Sequence, residues 1–230
     1  MTRWVMAAIF AVALVVSRGA AAQDHFVTPE VVDLRLILIG PPAQTSPQTT
    51  AEIEELRTIQ RTRTEAQAAA ARADAEESVF RFADVMGPNF TRERLPRITA
   101  LFAIMIEDED VTTRAPKRDF GRQRPYLAAS DIVPICPRSN SNAYPSGHAT
   151  VGYYMGVVLA AMVPERRDAI LARSWQYAEA RLICGVHYRT DIEAGRIAGT
   201  AMAAVALANP QFRARFAEAR TELRAALGLN

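Results

Sequence analysis

Ser146-Gly147-His148-Ala149-Thr150-Val151-Gly152-Tyr153-Tyr154-Met155-Gly156-Val157-Val158-Leu159-Ala160-Ala161-Met162 is the stretch on which the reading of the fold turns. Val151, Tyr154, Met155, Val158, Leu159 and Met162 recur at helical spacing, and Pro164 stops the run. The Ser-Gly pair opens this helix, where free amides and the positive dipole end suit an anion. Two more stripes lie downstream. Ile170, Leu171, Trp175, Ala178, Leu182 and Val186 form one; Ile192, Ile197, Ala201, Val205 and Ala208 form the other, halted by Pro210. A last helix is expected from Phe212 to Leu227.

Upstream, Thr49-Thr50-Ala51-Glu52 reads as a capping box. Ile53, Leu56, Ile59, Ala66 and Ala70 behind it give an amphipathic helix whose charges read as a solvated face. A second helix is expected over 76–86, ending at Gly87-Pro88, and a third over 91–107 with Leu95, Ile98, Phe102, Met105 and Ile106 on one face. Residues 108–145 carry five prolines and little periodicity, which predicts a long functional loop. Alternation of strand type is weak and confined to Val31–Ile39, and there is no internal repeat. The expected fold is all-α, a single-domain helical bundle over 49–230 behind an irregular N-terminal segment, 23–48. The apolar runs after His148 and Asp191 are too short or too interrupted to span a membrane.

Residues 1–22 read as a cleaved export signal. Arg3 supplies the basic start, Trp4–Val16 an apolar stretch of 13 residues, and Ala20-Ala21-Ala22 a small-residue cleavage site. Thirteen apolar residues fall short of the roughly 20 of a membrane anchor. The expected location is therefore periplasmic or secreted. The leader holds Arg3 and Arg18 and no acid, so its removal leaves 25 basic residues against 25 acidic. Such a balance gives no electrostatic footprint for nucleic acid and no polybasic membrane anchor. Cys136 and Cys184 are the two cysteines. An even count in an exported chain favours a bridge, worth about 4 kcal/mol by chain entropy, although Cys184 also fits as a small buried hydrophobe.

Lys117 is the single lysine in a chain with 27 basic residues, and His25, His148 and His187 are the only histidines. Lys117, Arg124 and Arg181 can offset a phosphate dianion, with the two guanidiniums gripping its oxygens in pairs. The amides of Gly147 and His148 and the Ser146 hydroxyl add donors. Two histidines, one with Asp191 four residues on, supply a nucleophile and a proton source. His25 lies outside every motif and reads as a flexible, exposed residue.

Lys117 to Pro125, Pro145 to His148 and Arg181 to Asp191 resemble, in order and internal spacing, the signature of the type-2 phosphatidic acid phosphatase superfamily: K-x6-R-P, P-S-G-H and S-R-x5-H-x3-D. The surrounding sequence is similar to the class A nonspecific acid phosphatases exported by bacteria. Ala180 stands where that signature has serine. The resemblance implies a helical bundle of this superfamily and an acid phosphatase, hydrolysing small phosphate monoesters of broad specificity through a phosphohistidine. It implies His187 as nucleophile, Asp191 as its orienting partner, His148 as general acid and base, and Lys117, Arg124, Ser146, Gly147 and Arg181 as phosphate ligands. No metal and no cofactor are expected, and an acid-side, bell-shaped pH profile is. Phosphotransfer to other alcohols and pairing into a homodimer are open. Two other activities are compatible with the same motifs: a membrane-associated lipid or polyprenyl phosphate phosphatase, and a vanadate-dependent haloperoxidase. Tyr126, Tyr144 and Tyr188 read as packing residues rather than a stacking platform for the leaving group.

Overall fold

The computed structural model describes residues 25–229, so the expected export signal lies outside the described residues. Within them every regular element is helical. The α-helices are α1 (Leu34–Ile37), α2 (Pro47–Thr62), α3 (Glu65–Ala73), α4 (Ala83–Met86), α5 (Pro96–Phe120), α6 (Pro125–Ala128), α7 (Gly147–Met162), α8 (Arg167–Ile183), α9 (Arg189–Ala208) and α10 (Pro210–Ala226). None of these helices is long and apolar enough to cross a membrane.

Helix α7 is the axis of the bundle. Twelve of its sixteen residues are buried, including Tyr154, Met155, Val158 and Leu159, because α5, α8, α9 and α10 surround it. Glycines set the approach of its two nearest neighbours. A Cβ on Gly199 of α9 would lie 2.1 Å from the Thr150 carbonyl, and one on Gly195 would lie 2.7 Å from the Ser146 carbonyl. On the α8 side, a Cβ on Gly156 would meet the Ser174 hydroxyl at 1.9 Å. Pressed together in this way, α7 and α9 share a backbone bond from the Ser146 amide to the Asp191 carbonyl, 3.0 Å. The second and third motifs are thereby locked end to end.

Several expectations are corrected. Helix α2 begins two residues before Thr49, at Pro47, with the Ser46 hydroxyl accepting from the Thr49 amide at 3.2 Å. The chain breaks at Arg63, and α3 starts from a Thr64/Gln67 capping box. The α2 charges are not all solvated: Glu52 is 6% exposed and serves the site. Residues 76–86 form only a 3-10 turn, Val79–Phe82, and the short α4. Val31–Ile39 holds no strand; Asp33 caps α1 there.

The largest correction concerns 108–145. Helix α5 does not end near Glu107 but runs on to Phe120, with Pro116 inside it and Gly121 closing it at φ 62°. The apolar stripe gives out after Met105, yet the buried face continues in polar residues at the same spacing: Asp108, Glu109, Thr112 and Thr113. A search for apolar periodicity does not see a polar core face. His25 is also corrected. It is half-buried, with Nδ1 3.2 Å from the Asp108 carboxylate, which further accepts from the Phe26 and Val27 amides and the Tyr154 hydroxyl. Phe26, Val27, Val32, Leu34 and Leu38 sink into the main core.

Candidate active site

A cavity of about 840 Å³ opens where the ends of α5 and α8 meet the start of α7. Lys117, Arg124, Gly147, His148, Arg181 and His187 line it, along with His25, Glu77 and Glu109. Ser146 and Asp191 stand behind that wall, both fully buried. Ser146 caps α7, its hydroxyl accepting from the Ala149 amide at 3.4 Å, so its structural duty is to orient the turn that presents the Gly147 and His148 amides.

The three cations come from three elements. Lys117 sits in the last turn of α5 and donates to the Pro145 carbonyl at 2.5 Å. Burial pushes its ammonium down to about 8, against the pull of Glu109. Arg124 precedes α6 and is aimed by bonds from Nε to the Ser141 carbonyl at 2.9 Å and from Nη1 to the Val186 carbonyl at 3.0 Å. Arg181 ends α8, its Nε buried with no partner among the described residues. Burial lowers both guanidiniums, Arg181 to about 10. None of the three forms an ion pair with a described carboxylate, whereas Arg122 beside them pairs with both Glu52 and Asp191. Buried positive charge with no carboxylate in contact, beside a helix N-terminus, favours an anion.

His187 lies at the floor, 2% exposed. Its Nδ1 is 3.2 Å from Asp191 Oδ2, and its Nε2 is 2.7 Å from Arg124 Nη1. A guanidinium only donates, so Nε2 carries the lone pair and Nδ1 the proton. Burial first, then Arg124, Lys117 and Arg181, hold the imidazole well below its ordinary pKa, so it stays neutral in acid. Asp191 is fixed in turn by the Tyr188 amide at 2.8 Å and by Arg122 Nη1 at 2.6 Å. Burial pushes its carboxyl up to about 6, with Arg122 pulling the other way.

Arg122 was not singled out by the sequence. It stacks 3.9 Å over the Tyr188 ring and joins Asp191 to Glu52, whose Oε2 it meets at 2.6 Å. Glu52 Oε1 in turn takes the Thr190 amide at 2.6 Å, at the start of α9. As one of 26 arginines, Arg122 carries no compositional signal; its place inside the first motif is the only hint. Glu77 was missed too. It holds His148 Nδ1 at 2.9 Å while the Ala75 carbonyl faces Nε2 at 3.0 Å, and Tyr177 stacks beneath the ring. With two acceptors, the His148 ring makes both contacts only when both nitrogens carry protons.

Cys136 and Cys184 are bonded, tying the segment beneath the site to the end of α8. Tyr126, Tyr144 and Tyr188 are buried and turn their hydroxyls to Ser139, Ile39 and Gln44, so they pack rather than face the cavity. Among the described residues, no cluster of His, Cys, Asp and Glu is arranged to hold a metal ion.

An all-helical bundle with a buried cation triad over an oriented histidine is an arrangement suited to an oxyanion. The PAP2 superfamily matches residues 98–215, a span that contains all three motifs, and the chain belongs to it. Similar proteins include a non-specific acid phosphatase of Providencia stuartii, 33% identical over 146 residues, 61% of this chain and 59% of that protein. An acid phosphatase of Zymomonas mobilis is 28% identical over 83% of this chain and 75% of its own length. The chain thus matches about three-fifths of the first relative and three-quarters of the second. Among solved structures, a transmembrane PAP2-type phosphatidylglycerolphosphate phosphatase from Bacillus subtilis superposes with a TM-score of 0.54 at 18% identity, covering 77% of this chain and 94% of that one. At that identity the likeness concerns the fold.

Proposed function

We propose that the protein is an exported acid phosphatase that hydrolyses small phosphate monoesters through a phosphohistidine at His187. The observation that carries this reading is the contact of His187 Nε2 with the Arg124 guanidinium inside the cation triad, with its other nitrogen on Asp191.

In the proposed course, the phosphoryl group takes the place that Arg124, Lys117, Arg181 and the Gly147 and His148 amides surround. His187 Nε2 attacks phosphorus and the bond to the ester oxygen breaks. Asp191 and Arg122 hold the ring as it becomes positive. His148 passes a proton to the departing alkoxide, exchanging the Ala75 carbonyl for the leaving oxygen. Water then attacks the phosphorus of the phosphohistidine, His148 recovers a proton from it, and the P–N bond breaks, returning its electron pair to His187 Nε2 and releasing phosphate. The cations stabilise charge that builds up on the phosphoryl oxygens in each transition state. An alcohol in place of water gives phosphotransfer. Export is supported by the disulfide, which persists in an oxidising compartment.

Replacing His187 by Ala tests the assignment. Release of nitrophenol from p-nitrophenyl phosphate should be abolished while inorganic phosphate still binds, because the cations remain. Persistent turnover would remove His187 from the nucleophile's role.

A further inference from the structure

Glu109 is a carboxyl in a site built for an anion. It projects from α5 two turns before Lys117, is 5% exposed, and lines the same cavity. Its Oε1 takes the Thr113 hydroxyl at 2.8 Å, and no described residue bonds Oε2. It lies against the phosphate-binding turn: a Cβ on Gly147 would come within 2.8 Å of its Oε1. The charged groups facing it are Lys117 and Asp110 on its own helix and Glu77 from the segment before α4. His25, Arg124, His148, Arg181 and His187 share the cavity.

We propose that Glu109 is a phosphate-binding residue that acts only when protonated, donating its O–H to a phosphoryl oxygen beside Lys117 and Gly147. Ionised, it offsets the Lys117 charge through space, without a contact, and repels the incoming dianion. Phosphate therefore binds best when the carboxyl is neutral, and an ionised Glu109 takes up one proton as phosphate binds. This role rests on the phosphate site proposed above. Burial, helped by Glu77, pushes the Glu109 carboxyl up to about 7, so the proton is present in acid and lost above neutrality. Acid preference would then arise in substrate binding, separately from the proton donor of the chemical step.

The test compares the wild type with Glu109→Gln, which keeps a donor of the same shape but cannot ionise. Two quantities are followed from pH 5 to 9: kcat/KM for p-nitrophenyl phosphate and the competitive inhibition constant of inorganic phosphate. One ionisation at about 7 should weaken wild-type phosphate inhibition about 16-fold between pH 7 and 8.5, and the Gln variant should lack that loss. Thr113→Val is the second variant. It removes a donor to the carboxylate, favours the protonated form, and should move the same limb to higher pH. Thermal unfolding of each variant checks that it folds; if the Gln variant does not, the Val variant decides. Limbs that stay in place would overturn the proposal. A limb that moves to lower pH in the Gln variant would also overturn it, since Glu109 would then serve to keep Lys117 charged. Phosphate binding by His187→Ala keeps the two proposals apart. If it shows the wild-type pH dependence without turnover, both stand; turnover in that variant sinks the nucleophile assignment alone.

Discussion

Lys117 shows why a residue type matters more than its charge here. Its ammonium is buried and reaches the Pro145 carbonyl at 2.5 Å, immediately before the turn that presents Gly147. A guanidinium is broader and planar, and at this position it would push into the Pro145 carbonyl or into the anion's place. Lys117→Arg should therefore lower kcat/KM by on the order of 10²-fold despite the retained charge. Steady-state kinetics on p-nitrophenyl phosphate check this, and near-wild-type turnover would return the lone lysine to coincidence. Lys117, Arg124, Gly147, His148, Arg181 and His187 were legible in the sequence because their motif spacings are distinctive. Arg122, Glu52, Glu77 and Glu109 were not. Each is a common charged residue whose meaning comes only from a partner far along the chain, such as Glu52, 70 positions from Arg122. Ser146 was read as a phosphate ligand, and the structure finds it capping α7 behind the cavity wall.

At the scale of elements, the site depends on how closely α9 lies against α7. The Gly199 contact is with backbone, the Thr150 carbonyl at 2.1 Å and the Tyr154 amide nitrogen at 2.9 Å from a Cβ, so no side chain can swing aside. Gly199→Ala should cost at least about 2 kcal/mol by overpacking. It should also reduce kcat/KM, because the bond from the Ser146 amide to the Asp191 carbonyl loosens as the helices part. Urea unfolding measures the first effect; stability within about 0.5 kcal/mol of wild type would show that the helices adjust freely. The stripes of α7, α8 and α9 could be read because they are apolar and end at prolines or glycine. Helix α5 could not be followed to its end, since its final turns bury Asp108, Glu109, Thr112 and Thr113 in place of leucines. Glu109 and Thr113 of those turns line the cavity, so the apolar stripe gives out where the helix borders it.

Across the whole molecule, the site is held from several directions. Helix α2 reaches it through Glu52 and Arg122, α8 through Arg181, α9 through Asp191, and the disulfide anchors the connection between α6 and α7 to the end of α8. The N-terminal segment closes a further side, with Asp108 gathering the Phe26 and Val27 amides and His25 reaching the cavity. This shared support keeps His187 neutral and aimed at a position that three cations surround. The most direct measurement is to denature the protein during turnover of labelled phosphate monoester and map the bound phosphoryl group by mass spectrometry. An acid-labile phosphoryl group on His187, absent from the His187→Ala variant, is expected. Full turnover with no phosphoryl group on His187, or with the group on another residue, would contradict the mechanism.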